Sequence, residues 1–480
     1  MARIDTLSNF LTDVADSIRE KTGNTEPIAC EDFDTEIESI SGGGSANLQT
    51  KSVTITENGT TSVTPDTGYD GLSSVSVTTS VPTSSLPDYG FVVNEWTNGY
   101  PKIVQIVGFT QLISSYFGNN NVWSHTEQII LPNNFVILGS AFSNMSGLKT
   151  INTSLLTQLN ENAFQNCSSL QTVTLPEGLN ATTSRFTNSI FSQTFKYCSS
   201  LDNITIPSNV IRLGYECFRD CGNLKTLNWG SIREIGPDIM ANGGGSSNGY
   251  VFYNCSNLEI DELPSNLTTI RGNYNFANCR KITISKIPDG VLTIPAYTFN
   301  NCTGITDLDI NNVTKIDVQA FSGCSNLNID NLKNVTTLGA VAFLGCDNHS
   351  LITIPDGITV LNSNTFNKNK MPQMSMNNVT TIYSSTNSSV FMSATNIVAF
   401  WIGSAITNNG LGRYSLLSSN VANYKRIYID LPRATVEAFT NYQYAFCNNA
   451  SRTTIIVCND DSGFITKTQF DAIDWSTYTP

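Results

Sequence analysis

The phrase Phe-x-x-Cys-x-x-Leu/Ile returns along the chain in register, and this constrains the fold more than any other feature. It reads FQNCSSL from Phe164, FKYCSSL from Phe195, FRDCGNL from Phe218 and FYNCSNL from Phe252. It continues as FANCRKI from Phe276, FNNCTGI from Phe299, FSGCSNL from Phe321 and FLGCDNH from Phe343. Degenerate copies stand at Phe142, with Met145 in the cysteine slot, and at Phe391, with Ala394 there. Most copies lie about 22 to 25 residues apart, too short for a domain but the length of one coil in a leucine-rich array. A unit this small buries its apolar side chains only against its neighbours, so the pattern predicts a solenoid and not a single globule.

Within one coil, Leu170, Val173 and Leu175 fall at the spacing of a short strand with its apolar side inward, and Thr172 and Thr174 then face out. A second segment, NVIRLGYECF from Asn209, NVTKIDVQAF from Asn312 or NVTTLGAVAF from Asn334, returns the chain across the other side to the next Phe turn. Where Met or Ala replaces the cysteine an apolar atom is kept and thiol chemistry is lost, so the cysteine reads as a small buried hydrophobe. Side chains of stacked coils point in parallel, whereas a disulfide needs converging Cβ vectors. Cys217 and Cys221 are a close pair, but the two histidines, His125 and His349, are both remote in sequence, so a zinc site lacks ligands. No metal and no cofactor are expected.

The order F-x-x-C-x-x-L/I, then V-T-L-P, then N-V-T-x-I resembles the BspA-type leucine-rich repeats of bacterial surface proteins and phage tail proteins. The resemblance spans residues 90 to 458 and implies a BspA-like leucine-rich-repeat solenoid, rich in β-structure with short convex turns. GFVVNEWTNGYPKIVQIVGF from Gly90 reads as the first, capping coil, and the stretch from Ile455 through FDAIDWSTYTP as the closing cap, because an open solenoid end exposes core and unpaired edges.

Residues before the repeats follow other patterns. Ile4, Leu7, Leu11, Val14 and Ile18 recur at alternating steps of three and four, as in a helix that packs along a seam, and Gly23 ends it. A second amphipathic pattern uses Phe33, Ile37 and Ile40, and Ser41 to Ser45 form a Gly-rich joint. Alternation from Leu48 to Val81, with turns at Glu57-Asn58-Gly59 and Tyr69-Asp70-Gly71, predicts a small β module. The stretches ADSIREKTGNTEPIACEDFDTEIESI and VTPDTGYDGLSSVSV resemble segments of tail proteins from phages of Gram-positive bacteria. The expected divisions are a helical anchor and oligomerisation segment over 1–40, a linker over 41–47, the β module over 48–85, the solenoid over 86–458 and a cap over 459–480.

Composition narrows the function. Charged residues make up 14% of the 480 and the net charge is −13, so Ser, Thr and Asn must coat much of the surface. That negative excess repels phosphate backbones and anionic lipid, which argues against nucleic acid as a partner. No run of about 18 apolar residues predicts membrane insertion. The opening MARIDTLSNF lacks a basic stretch followed by an apolar core, so no secretory leader is expected and the thiols should stay reduced.

Catalytic signatures are missing from the sequence: there is neither a phosphate loop nor a nucleophile elbow. Asp307 and Asp309, two apart on a strand, read as solvated face residues and not as a glycosidase pair. Asp460-Asp461 before Gly463 reads as a turn, since it lacks the ordered acidic spacing of a calcium loop. The expectation is a binding protein and not an enzyme. Outward positions Thr172, Thr174, Asn203, Thr205, Thr226 and Asn228 form one uncharged face suited to a hydroxyl-rich glycan or a protein surface. Two longer coils carry ATTSRFTNS from Ala181 and IMANGGGSSNGY from Ile239; both insertions are expected on one edge, with Arg185 and Tyr250 as contacts.

Together the residues and the resemblance imply a phage tail fibre or receptor-binding protein, located in the virion and assembled in the host cytoplasm. Its N-terminus would dock to other tail or baseplate proteins, as a homo-oligomer, and its solenoid to a host surface glycan or protein. A bacterial surface adhesin with the same repeats is the alternative, and a glycan-degrading enzyme a third.

Overall fold

The computed structural model describes residues 91–475 apart from 108, 113–116, 118–122, 180–188, 191, 238–247, 329–331, 347–351, 367–371, 384–389, 391–396, 413–425 and 440–454; of residues 1–90 it describes the backbone of 48–55 and 71–79. The helical seam of Ile4, Leu7, Leu11, Val14 and Ile18 lies outside the described residues. In the β module, Leu48–Ile55 pairs in parallel with Gly71–Thr79. Gly71 therefore opens a strand, although its sequence context reads as a turn.

The repeats build a β-solenoid of about 11 turns. Its start is the one antiparallel pair among the described strands, Phe91–Thr97 with Tyr100–Ile106. Asn98 and Gly99 join them at φ 51° and 78°, the left-handed pair that a two-residue hairpin requires. Tyr100–Ile106 then pairs in parallel with Gln128–Ile130, and every later coil adds to its predecessor in parallel. Coils contribute strands to a first sheet, such as Thr172–Thr174, Asn203–Thr205 and Thr226–Asn228, or isolated bridges such as Lys286 with Asp309, and shorter strands to a second sheet, such as Arg212–Leu213, Glu234–Ile235 and Thr269–Ile270.

Between second-sheet strand and first-sheet strand lies the Phe turn, and here the repeat phrase acquires its physical meaning. From Phe117 to Phe366 the phenylalanines stack ring upon ring, with centroids 5.2–5.8 Å apart and planes within 25°. All are buried. Phe91 and Trp123 close the N-terminal end of this ladder against Phe117, at 5.2 and 4.8 Å.

The cysteines are buried too, but they are more than fillers. The thiol of each Phe-x-x-Cys phrase from Cys167 to Cys346 donates to the carbonyl of the phenylalanine in the preceding coil: Cys198 to Phe164 at 3.1 Å, Cys279 to Phe252 at 3.0 Å, Cys324 to Phe299 at 2.9 Å. That carbonyl also accepts the backbone N–H of its own cysteine, as Phe164 accepts from Cys167 at 3.1 Å. Phe-x-x-Cys thus closes a turn within one coil and ties it to the next. The residue before the cysteine takes positive φ, from 59° to 80° in these coils, which explains Asn166, Asp220, Asn254, Asn278 and Asn301 there and glycine at 323 and 345. At Gly323 a Cβ would also lie 2.1 Å from the Asn301 side-chain oxygen.

At the C-terminal end, residues 464–475 lie across the outward face of the last first-sheet strands. Phe470 and Trp475 pack on Trp401, Tyr428 and Val457 in a cluster separate from the main core. Ala399–Ile402 is consequently buried on both sides.

Candidate functional site

The six outward positions read from the sequence come together as a grid. Thr172, Asn203 and Thr226 are register partners across three strands, and Thr174, Thr205 and Asn228 form the second row. All six are exposed, while Val173 and Ile204 between them are buried. Strand spacing puts successive rows about 4.8 Å apart. Charges bordering the grid are paired along the axis: Lys149 with Glu127, Lys225 with Asp202 and Lys281 with Glu259, each at 2.8 Å. Such exposed pairs are screened by solvent and add little to stability, but they leave the face without net charge for an ionic ligand.

The two insertions expected on one edge, residues 180–188 and 238–247, lie outside the described residues, and Arg185 with them.

Tyr250, at the exit of the second insertion, belongs to an aromatic edge that sequence reasoning missed. Its ring stacks on Tyr274 at 5.0 Å and 14°, and Tyr274 on Tyr297 at 4.2 Å and 12°. Tyr253 stands nearly perpendicular to Tyr250 and Tyr274, at 5.2 and 6.2 Å. The Arg219 guanidinium carbon lies 4.8 Å from the Tyr250 centroid and 5.4 Å from that of Tyr253. Burial, and then a hydrogen bond with Tyr297, push the Tyr274 phenol up to about 12. A signal was available: with the chain aligned on Phe, the position two residues earlier reads Gln193, Glu216, Tyr250, Tyr274, Tyr297 and Gln319, an uninterrupted run of three tyrosines.

Arg219 is held in place from below. Glu216, buried, accepts from Gln193 at 2.5 Å and is paired with Lys196 and Arg219, while Arg219 Nε also donates to Asp220 at 3.1 Å. Burial works against the charge of Glu216, but hydrogen bonds from Lys196, Gln193 and Arg219 outweigh it and hold the carboxyl below its ordinary value.

The remaining acidic groups have ordinary roles. Asp307 and Asp309 line a shallow groove of about 360 Å³ with Ser285, Asn311 and Asn328. There Asn328 Nδ2 donates to Asp307 at 3.3 Å and the Asn311 N–H to Asp309 at 2.9 Å. Among the described residues, Cys458, Asp460 and Asp461 bring ligand atoms within 4.8 Å of one another. Arg433 occupies the counter-charge position: its Nε and Nη2 donate to Asp461 at 3.0 and 2.5 Å, and its backbone N–H to Asp460 at 2.9 Å. The pair therefore anchors the start of the helix Arg433–Glu437 as a turn. Among the described residues no helix is long and apolar enough to cross a membrane.

Comparison with known proteins decides the family. The model of the BspA type leucine-rich repeat region matches residues 110–244, 246–333 and 314–451, in 6 copies. The chain belongs to the BspA-type leucine-rich repeat family. No catalytic family is indicated. A search of curated proteins returned no match. Among solved structures, a leucine-rich repeat protein from Bacteroides ovatus is 17% identical with a TM-score of 0.45, covering 78% of this chain and 99% of its own. A leucine-rich cell surface protein from Faecalibacterium prausnitzii is 17% identical with a TM-score of 0.36, over 67% of this chain and 94% of its own. The pneumococcal vaccine antigen PcpA is 13% identical with a TM-score of 0.38, over 88% and 92%.

Proposed function

We propose that this BspA-type repeat chain is a receptor-binding or fibre protein of a phage tail, in which the solenoid engages the host cell surface. The observation that carries the binding part is the rigid, exposed, uncharged grid from Thr172 to Asn228, with its bordering charges already paired. Such a face offers hydroxyls and amides in fixed register to a surface glycan or protein, with little ordering entropy to oppose binding. Support for the tail assignment comes from the first 80 residues, whose two stretches resemble tail-protein segments. Residues 1–40 dock to other tail or baseplate proteins and bring copies together, so the protein resides in the virion after assembly in the host cytoplasm.

Labelled chain incubated with candidate host cells tests the binding, and immunogold microscopy of purified particles tests the location. Removal of residues 1–40 should leave surface binding intact and abolish incorporation into particles. Normal incorporation of the shortened chain refutes the anchor. A cell-surface adhesin would use the same uncharged face equally well; finding the protein on bacterial envelopes and not on particles selects that reading.

A further inference from the structure

We propose that the tyrosine edge at Tyr250, Tyr253, Tyr274 and Tyr297 is a subsite for a neutral polysaccharide, distinct from the Thr/Asn grid. The proposal rests on the surface-binding reading and names a second site and its ligand class. Two independent observations meet there. First, three consecutive coils place tyrosine, Tyr250, Tyr274 and Tyr297, at one turn position that takes positive φ throughout the repeats and holds Asn162, Gln193, Glu216, Gln319, Val341 and Asn364 in other coils.

Geometry supplies the second observation. Tyr250 and Tyr274 are 5.0 Å apart and parallel, so no third ring fits between them. Tyr253, at 86° and 81° to the two and 5.2 and 6.2 Å from their centroids, therefore stands beside the pair. All four rings are only half-buried.

Around these rings the chemistry is neutral and amide-rich. Lys196 and Arg219 are matched by Glu216 and Asp220, leaving no net charge for an ionic ligand. In the same turns, the amides of Asn278 and Asn254 donate along the axis, Asn278 to Asn254 at 2.7 Å and Asn254 to Asp220 at 2.7 Å. Each amide nitrogen carries two hydrogens, so this ladder uses one and keeps a second. Aromatic carbon flanked by phenol hydroxyls and amide N–H groups matches a pyranose, whose C–H face is apolar and whose rim is hydroxyl. A sugar chain lying along the solenoid axis meets Tyr253, then the edges of Tyr274 and Tyr297, in successive coils.

Affinity electrophoresis of the full chain through gels containing a neutral glucan, mannan or galactan tests this. At least one polysaccharide should retard the wild-type chain and perturb its tyrosine difference absorbance. Tyr253→Ala and Tyr297→Ala should each weaken retardation at least tenfold with melting temperatures near wild type, while Tyr253→Phe keeps most of it. Lack of retardation by all three polysaccharides, retardation without a tyrosine signal, or alanine variants that bind like wild type would each overturn the site. So would displacement by a proline-rich peptide with no glycan binding. If the tyrosine variants bind host cells as wild type does, the glycan site falls and the surface-binding reading stands. A chain held by the gel that ignores every cell leaves the site and removes that reading.

Discussion

Alkaline solution should unfold this protein through its buried thiols. Cys167, Cys198, Cys217, Cys221, Cys255, Cys279, Cys302 and Cys324 are buried, and burial pushes every one of these thiols up, Cys324 to about 12. In the unfolded chain they return to about 8.5. An acid whose folded value is raised keeps its proton in the native state while the unfolded state loses it, so stability is full below about 8.5 and falls as pH rises through that value. One pH unit above it, each thiol removes about 1.4 kcal/mol, and eight unfolding together remove about 11 kcal/mol. Coils of a solenoid can unzip in groups, so that sum is a ceiling. Urea midpoints measured under reducing conditions at about pH 7.5 and about pH 9.5 should therefore drop steeply. The triple variant Cys279→Ala, Cys302→Ala, Cys324→Ala removes three of the eight and should lose roughly three-eighths of the pH sensitivity while starting less stable. Equal pH sensitivity in wild type and variant, or a midpoint that does not move, refutes the reasoning.

Other substitutions probe individual rungs. Phe299 lies 5.4 Å from both Phe276 and Phe321, and Phe299→Ala should cost about 3–5 kcal/mol by denaturant melts. Cys302→Ala removes a small buried group and its 3.0 Å bond to the Phe276 carbonyl, so about 1–2 kcal/mol should be lost with cell binding unchanged. Glu216→Gln leaves Lys196 without its counter-charge and Arg219 with Asp220 alone, and should cost about 2–3 kcal/mol at neutral pH. Because the Glu216 carboxyl is held below its ordinary value, its contribution is present at neutral pH and lost as pH falls below the usual carboxylate range, so the variant should show a shallower acid transition. Gly236→Ala puts a Cβ 1.8 Å from the Arg271 carbonyl at φ 112° and should cost more than about 2 kcal/mol by thermal melt, with loss of the pairing between Glu234–Ile235 and Thr269–Ile270.

Much of this was legible in one dimension. The Phe-x-x-Cys period, the inward set of Leu170, Val173 and Leu175, and the outward Thr172 and Thr174 all follow from short-range spacing, because every coil repeats the same local problem. Legibility ended where contacts run between coils. The thiol of Cys198 is chemically a small hydrophobe in its own coil and becomes a donor only when Phe164 of the preceding coil presents a carbonyl at 3.1 Å. The second-sheet strands, such as Arg212–Leu213, are too short to be read from hydrophobic pattern.

The sequence by itself determined the repeat, its period, the buried side of each strand and the family, because a strict phrase recurring in register admits only stacked coils. Tertiary structure alone decided which rows become neighbours. Residues 24 and 23 apart, Tyr250, Tyr274 and Tyr297, become one aromatic edge, and Glu216 reaches Lys196 across a coil boundary. Parallel stacking sets that adjacency, since it turns equal positions in successive coils into lateral neighbours about 4.8 Å apart.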